Sequence, residues 1–117
     1  MKEFNRVTGI KNEENAVNYI KNVLKYKIIA RNYKNKIGEI DIIAKDKLGT
    51  IIFVEVKYRS SAKFGLGRDA VDERKMNKIR LTATQFLVEN MLYSKCNIRF
   101  DVIDILDDNI THIENAF

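Results

Sequence analysis

The chain has no proline, one cysteine and one histidine in 117 residues, and each shortage removes a class of function. A single cysteine, Cys96, permits neither an internal disulfide nor a cysteine metal cluster. Placed just ahead of an apolar strand, it reads as a small buried thiol. The one histidine, His112, lies near the C-terminus and reads as a surface strand residue, so a zinc site or a histidine-based nuclease is not expected. Without proline, a Gly/Ser-rich stretch or an internal repeat, nothing divides the sequence, and residues 1–117 are expected to form a single domain with one core. Long apolar runs are missing as well. No segment approaches the ~18 consecutive apolar residues of a spanning helix. Nor does an apolar run follow the first six residues, as it would in a signal peptide. No membrane partner and a cytoplasmic location are the expectation.

Charge is what the chain has in excess. Its formal net charge is +5, which permits a polyanionic partner. Between Lys57 and Arg80 stand eight basic residues, Lys57, Arg59, Lys63, Arg68, Arg74, Lys75, Lys78 and Arg80, against Asp69, Asp72 and Glu73. That segment alone accounts for the whole surplus. Arg59, Arg68, Arg74, Lys75 and Lys78 are therefore the candidate nucleic-acid contacts.

Periodicity predicts the order α-β-β-β-α-β-β, a mixed α/β domain with helices packed on a central sheet. Ala16, Val17, Ile20, Val23 and Leu24 recur at helical spacing over residues 12–25. Strands are expected over 27–33, 38–44 and 51–59, the last rich in β-branched and aromatic residues. A second helix over 68–91 carries Met76, Ile79, Ala83, Phe86 and Leu87 on its apolar face. Two further strands, 98–106 and 110–114, flank the turn residues Asp107-Asp108-Asn109. Gly65-Leu66-Gly67 lacks the Gly-Lys-Ser/Thr of a phosphate loop and reads as a connection near the site. Asp101 and Asp104 read as strand-end surface charges.

The hairpin between the second and third strands can be registered from its turn. Lys47-Leu48-Gly49 has the form of a three-residue loop with glycine where positive φ is needed. Asp46 then faces Thr50, Asp41 faces Glu55 and Glu39 faces Lys57. The period of two puts Glu39, Asp41, Glu55, Lys57 and Arg59 on one face. Ile40, Ile42, Ala44, Ile52, Val54, Val56 and Tyr58 fall on the other, which is expected to be core. Two opposed carboxylates destabilise a sheet unless something compensates, and a hard dication such as Mg²⁺ binds such oxygens. Lys57 on the same face could act on a metal-bound water or steady a transition state. Glu13 lies on the apolar stripe of the first helix, either as a third carboxylate aimed at the sheet or as a charge suited to the helix N-terminus. A solvated charged face remains the other reading of the Glu-Val-Lys strand.

The wider pattern resembles a known family. Gly9-x-x-x-Glu13-x-x-Ala16, Arg31-Asn32-Tyr33, Gly38-Glu39-Ile40-Asp41-Ile42-Ile43-Ala44, Phe53-Val54-Glu55-Val56-Lys57-x-Arg59 and Arg99-x-Asp101-Val102 are similar to the YraN-type family of small bacterial proteins. Phe64-Gly65, Ala70-Val71 and Lys75 extend the likeness. Asn12 stands where that family usually has glycine. The resemblance implies a restriction-endonuclease-like fold of the PD-(D/E)xK class, related to archaeal Holliday-junction resolvases. It implies Mg²⁺ or Mn²⁺ held by Asp41, Glu55 and the Val56 carbonyl, with Lys57 as the catalytic lysine and Glu13 as the helix-borne glutamate. The expected activity is metal-dependent endonucleolytic cleavage of DNA, branched DNA included, and the analogy with resolvases extends to a homodimer. The competing expectations are a non-catalytic nucleic-acid-binding module and an interaction protein that keeps the nuclease fold.

Overall fold

In a computed structural model of the chain, residues 2–59 and 73–117 are described, with side chains from residue 11 onward in the first helix. The expected Arg68 contact, the start of the second helix and the 64–67 loop lie outside the described residues. The order is α1 (Lys2–Asn22), β1 (Lys27–Lys34), β2 (Glu39–Lys45), β3 (Ile51–Arg59), α2 (Glu73–Glu89), β4 (Ile98–Leu106) and β5 (Asn109–Ile113). This is the predicted mixed α/β succession. Helix α1 begins ten residues earlier than its apolar stripe suggested. Thr8 and Gly9, poor helix formers, interrupt the periodicity there without ending the helix.

The five strands form one sheet in sequence order. All neighbours are antiparallel except β3 and β4, which run parallel across nine consecutive residue pairs. Parallel neighbours need a long crossover, and α2 lies in that connection. The β2–β3 register is the one the turn dictates: Ile42 pairs with Val54, Ile43 with Phe53, Ala44 with Ile52 and Lys45 with Ile51. Asp46 closes the loop, its Oδ1 accepting the N–H groups of Leu48 and Thr50 at 2.9 Å each. Gly49 sits at φ +89°, where an L side chain would be strained.

Both faces of the sheet are core, because one helix covers each. Against α1, the residues Ala16, Val17 and Ile20 pack on Ile42, Ala44, Ile52, Val54, Ile103 and Ile105. Against α2, Ile79, Ala83, Phe86 and Leu87 pack on Ile40, Ile43, Ile51, Phe53 and Phe100. Strict alternation therefore fails at one place: Ile40 belongs with Ile43 and not, as expected, with Ile42. Tyr58, also expected in the core, is 47% exposed. A matching irregularity is present in β1. The β1–β2 register shifts by one between Ile28 and Ala30, and Asn32 takes the left-handed φ of 53°, which asparagine tolerates. Arg31 and Asn32 both turn toward α1, while Tyr33, paired with Ile40, turns toward α2 and meets the Phe86 ring edge-on at 5.2 Å.

Candidate functional site

The irregularity lands on Asp41. The last β2–β3 pair is Ile42 with Val54, and one step further the Asp41 Oδ2 accepts the N–H of Val56 at 2.8 Å. A carboxylate takes the place that a β2 carbonyl would hold if the ladder ran on, so the strands separate at the position where Asp41 and Glu55 come together. Glu55, a charged residue inside the apolar run of β3, is 9% exposed. Burial, then the charge of Glu55, push the Asp41 carboxyl up to about 7. This is the repulsive pair that the register predicts.

Two lysines face it. Lys57 Nζ stands 3.8 Å from Glu55 Oε1, and Lys75 Nζ of α2 stands 3.4 Å from the same oxygen. Burial and the neighbouring Lys75 bring the Lys57 ammonium down to about 8. Lys75 moves the other way. Burial works against its charge, but a hydrogen bond with Lys57 and the carboxylates of Glu55 and Asp41 raise its pKa. Two ammonium groups so close do not both hold their protons equally well, and the more buried position of Lys57 favours its deprotonation first. Sequence reasoning had assigned Lys75 to phosphate contact alone. Its spacing, one turn before Ile79 on the buried stripe of α2, was the signal that it points at the sheet.

The other expected residues are distributed differently. Glu13 accepts hydrogen bonds from Arg31 (3.2 Å) and Asn32 (2.8 Å) on the α1 side, and Glu14 shares Arg31 at 2.6 Å. Glu13 is not brought onto the Asp41–Glu55 pair, and among the described residues no group of three or more His, Cys, Asp or Glu is placed to hold one ion. Arg59 is held by Asp104 on the adjacent strand through a two-pronged contact of 3.2 and 3.0 Å, so its guanidinium braces β3 against β4. Arg74 and Lys78 are exposed on α2. Arg80 stacks over the Phe117 ring, 5.8 Å from its centre.

Two readings of the C-terminal strands need correcting. Asp101 is fully buried, not a surface charge. It accepts from Arg99 at 2.8 and 2.9 Å and from the Asn115 N–H at 2.9 Å, and its Oδ2 lies 2.7 Å from His112 Nε2. His112 is likewise not a surface residue: its side chain is 9% exposed and packs edge-on against Tyr26 at 6.5 Å. Burial alone would raise the Asp101 pKa; Arg99, the Asn115 N–H and His112 together carry it below the usual range. The network ties β4, β5 and the C-terminal segment together, in a place where side chains of a half-exposed strand would have had no need of it.

The metal chemistry can be tested against these donors. Mg²⁺ is commonly bound by one or two carboxylates, with waters and substrate oxygens completing six positions. Asp41 and Glu55 are hard oxygen donors, mutually repelling and next to the backbone at Val56, and they fit such an ion. No described helix is long and apolar enough to cross a membrane.

The comparisons with known proteins agree on one family. The UPF0102 protein of Desulforamulus reducens is 44% identical over 95% of each chain, and that of Persephonella marina is 41% identical over 97% of this chain and 96% of its own. The UPF0102 protein of Fusobacterium nucleatum is 50% identical over 77% of this chain and 74% of its own. The model of the uncharacterised protein family UPF0102 matches residues 12–105, from the second half of α1 to the last residue but one of β4, and the chain belongs to that family.

Proposed function

We propose that the protein is a metal-dependent nuclease of the PD-(D/E)xK type that hydrolyses phosphodiester bonds in DNA. The observation that carries this reading is the buried Asp41–Glu55 pair, opened by the Val56 N–H contact and faced by two lysines of divergent basicity. A mere brace for the sheet has no need of two carboxylates side by side, since their repulsion costs free energy that the two lysines and the Val56 N–H offset only in part.

Asp41, Glu55 and the Val56 carbonyl would hold Mg²⁺ or Mn²⁺. When bound, the ion supplies Lewis-acid polarisation of a phosphoryl oxygen and acidifies a water. The chain's own groups do the rest. Lys57, whose pKa is brought down to about 8, has a neutral-amine form accessible near neutral pH, and in that form it would take the proton of the attacking water as the water oxygen bonds to phosphorus. One P–O ester bond then breaks, and the departing oxygen keeps its electron pair and is protonated by solvent. Lys75, still charged, stands where it can offset negative charge on the phosphoryl oxygens. The restriction-endonuclease-like classification and the relation to resolvases are supported by the same arrangement of Asp41, Glu55 and Lys57 on adjoining strands.

The deciding experiment incubates the purified protein with linear, single-stranded and branched DNAs, in Mg²⁺ or Mn²⁺ and in EDTA. Metal-dependent cleavage lost in both Asp41→Asn and Glu55→Gln is the expected result. Absence of cleavage across the panel, or cleavage indifferent to EDTA, sinks the proposal.

A further inference from the structure

Next to the carboxylate pair, the β1–β2 turn is brought hard against α2. The approach is possible because position 38 has no side chain: a Cβ there would lie 3.0 Å from Thr82 Oγ1 and 3.5 Å from Lys78 Cγ. Asn35 fixes the turn, its Oδ1 accepting the N–H groups of Ile37 and Gly38 while its amide reaches the carbonyl of Thr82. Beside this contact a cleft of about 300 Å³ is open to solvent, lined by Lys34, Gly38, Glu39, Lys75, Lys78 and Thr82. That volume is at the small end of the ~300–1,000 Å³ typical of ligand sites.

Its charge is uneven. Three lysines meet one carboxylate, Glu39, which is the cross-strand partner of Lys34. Neither Lys34 nor Lys78 is engaged in an ion pair among the described residues. The third lysine, Lys75, is shared with the candidate centre, 3.4 Å from Glu55. The recess and the carboxylate pair are therefore continuous through a single side chain.

We infer that this cleft seats one backbone phosphate of the substrate strand, the neighbour of the phosphate that is hydrolysed, an inference that rests on the nuclease reading above. Lys34 and Lys78 neutralise that phosphate, at the edge of the close contact that Gly38 allows between the β1–β2 turn and α2. The role is positional. A strand held at the adjoining phosphate presents the scissile one to Asp41 and Glu55 in a fixed register, which is the contribution phosphate contacts make without reading sequence.

The test uses the full chain and a short labelled DNA strand, alone and annealed, with binding measured in EDTA over a salt series. Lys34→Ala/Lys78→Ala is compared with Lys21→Ala/Lys27→Ala, which removes the same charge from residues outside the cleft. Thermal melting confirms that both remain folded, and Lys34→Arg/Lys78→Arg serves as rescue. The expected result is a salt slope reduced by about one in the cleft variant, unchanged in the control and restored by arginine. In parallel, a neutral methylphosphonate linkage is walked along the strand. One position should weaken binding to the parent and have no further effect on the cleft variant. Equal losses in the two alanine variants, no position whose effect disappears, or no binding at all would overturn the inference. A parent that shows the position-specific pattern yet never cleaves with metal would support the cleft and refute the nuclease, so the two failures are separable.

Discussion

At the scale of single residues, two aspartates of the same sheet titrate in opposite directions. Asp41 is raised from 3.8 to about 7 by burial and by Glu55. The folded state therefore binds its proton more tightly than the unfolded state does. The stability this group contributes is fully present below about 4 and is lost as the pH rises through about 7. Asp41→Asn keeps an oxygen for the Val56 N–H and removes the charge. Without metal, the variant should melt at least as high as the parent at neutral pH, with the difference shrinking toward zero at pH 4. A melting series across this range decides it, and a difference that does not vary with pH shows that the pair does not repel. Lys57→Ala belongs to the same scale with another outcome. Metal should still raise its melting temperature, because the lysine is not a ligand, while turnover falls by roughly 10²–10⁴-fold, the usual contribution of a positioned base.

At the scale of elements, Asp101 joins β4 to β5 and to the C-terminal segment. Its pKa is depressed, so its stabilisation is present above the unfolded value and disappears as the pH falls through the folded one, the reverse of Asp41. Asp101→Asn leaves Arg99 and His112 facing an uncharged amide in a closed site. A loss of roughly 3–5 kcal/mol in denaturant unfolding is expected, as for breaking one side of a buried ion pair. A loss under 1 kcal/mol, the range of an exposed pair, would mean that Asp101 is not the anchor. This network was not legible in the sequence, because an aspartate in Ile98–Leu106 looks the same whether it faces water or a partner eleven residues away. The β2–β3 register was legible, since Asp46 and Gly49 leave the turn one geometry and the turn fixes every pair beyond it. The turnover of Ile40 to the α2 side was not. It coincides with the left-handed φ of Asn32 on a neighbouring strand, information that alternation within β2 does not contain. Lys57 and Glu55 were readable as a pair from their spacing of two. Lys75 completes the group only through the packing of α2 on the sheet, a tertiary contact that its place in a basic segment obscured.

At the scale of the whole molecule, the carboxylate pair, the cleft and Arg31–Glu13 divide the functions that the sequence had gathered on one face. Glu13 is satisfied by Arg31 and Asn32 on the α1 side, while Glu55 is approached from the α2 side by Lys75. A ligand that binds only the folded state raises its stability by mass action, about 2.7 kcal/mol at a concentration one hundred times the dissociation constant. Mn²⁺ or Mg²⁺ titrated into the parent should therefore raise the melting temperature with saturation. Asp41→Asn and Glu55→Gln should each abolish that rise, since each removes one of the two proposed side-chain ligands. Glu13→Gln should preserve it, and should shift the metal-free stability by no more than about 1 kcal/mol, because an exposed pair with Arg31 contributes little. The comparison separates two molecules with the same sequence motif. If Glu13→Gln cancels the metal response along with the other two, α1 closes onto the ion and the centre has three carboxylates. If Asp41→Asn retains it, the ion binds somewhere other than the β2–β3 pair, and the opening of the strands at Asp41 serves the sheet alone.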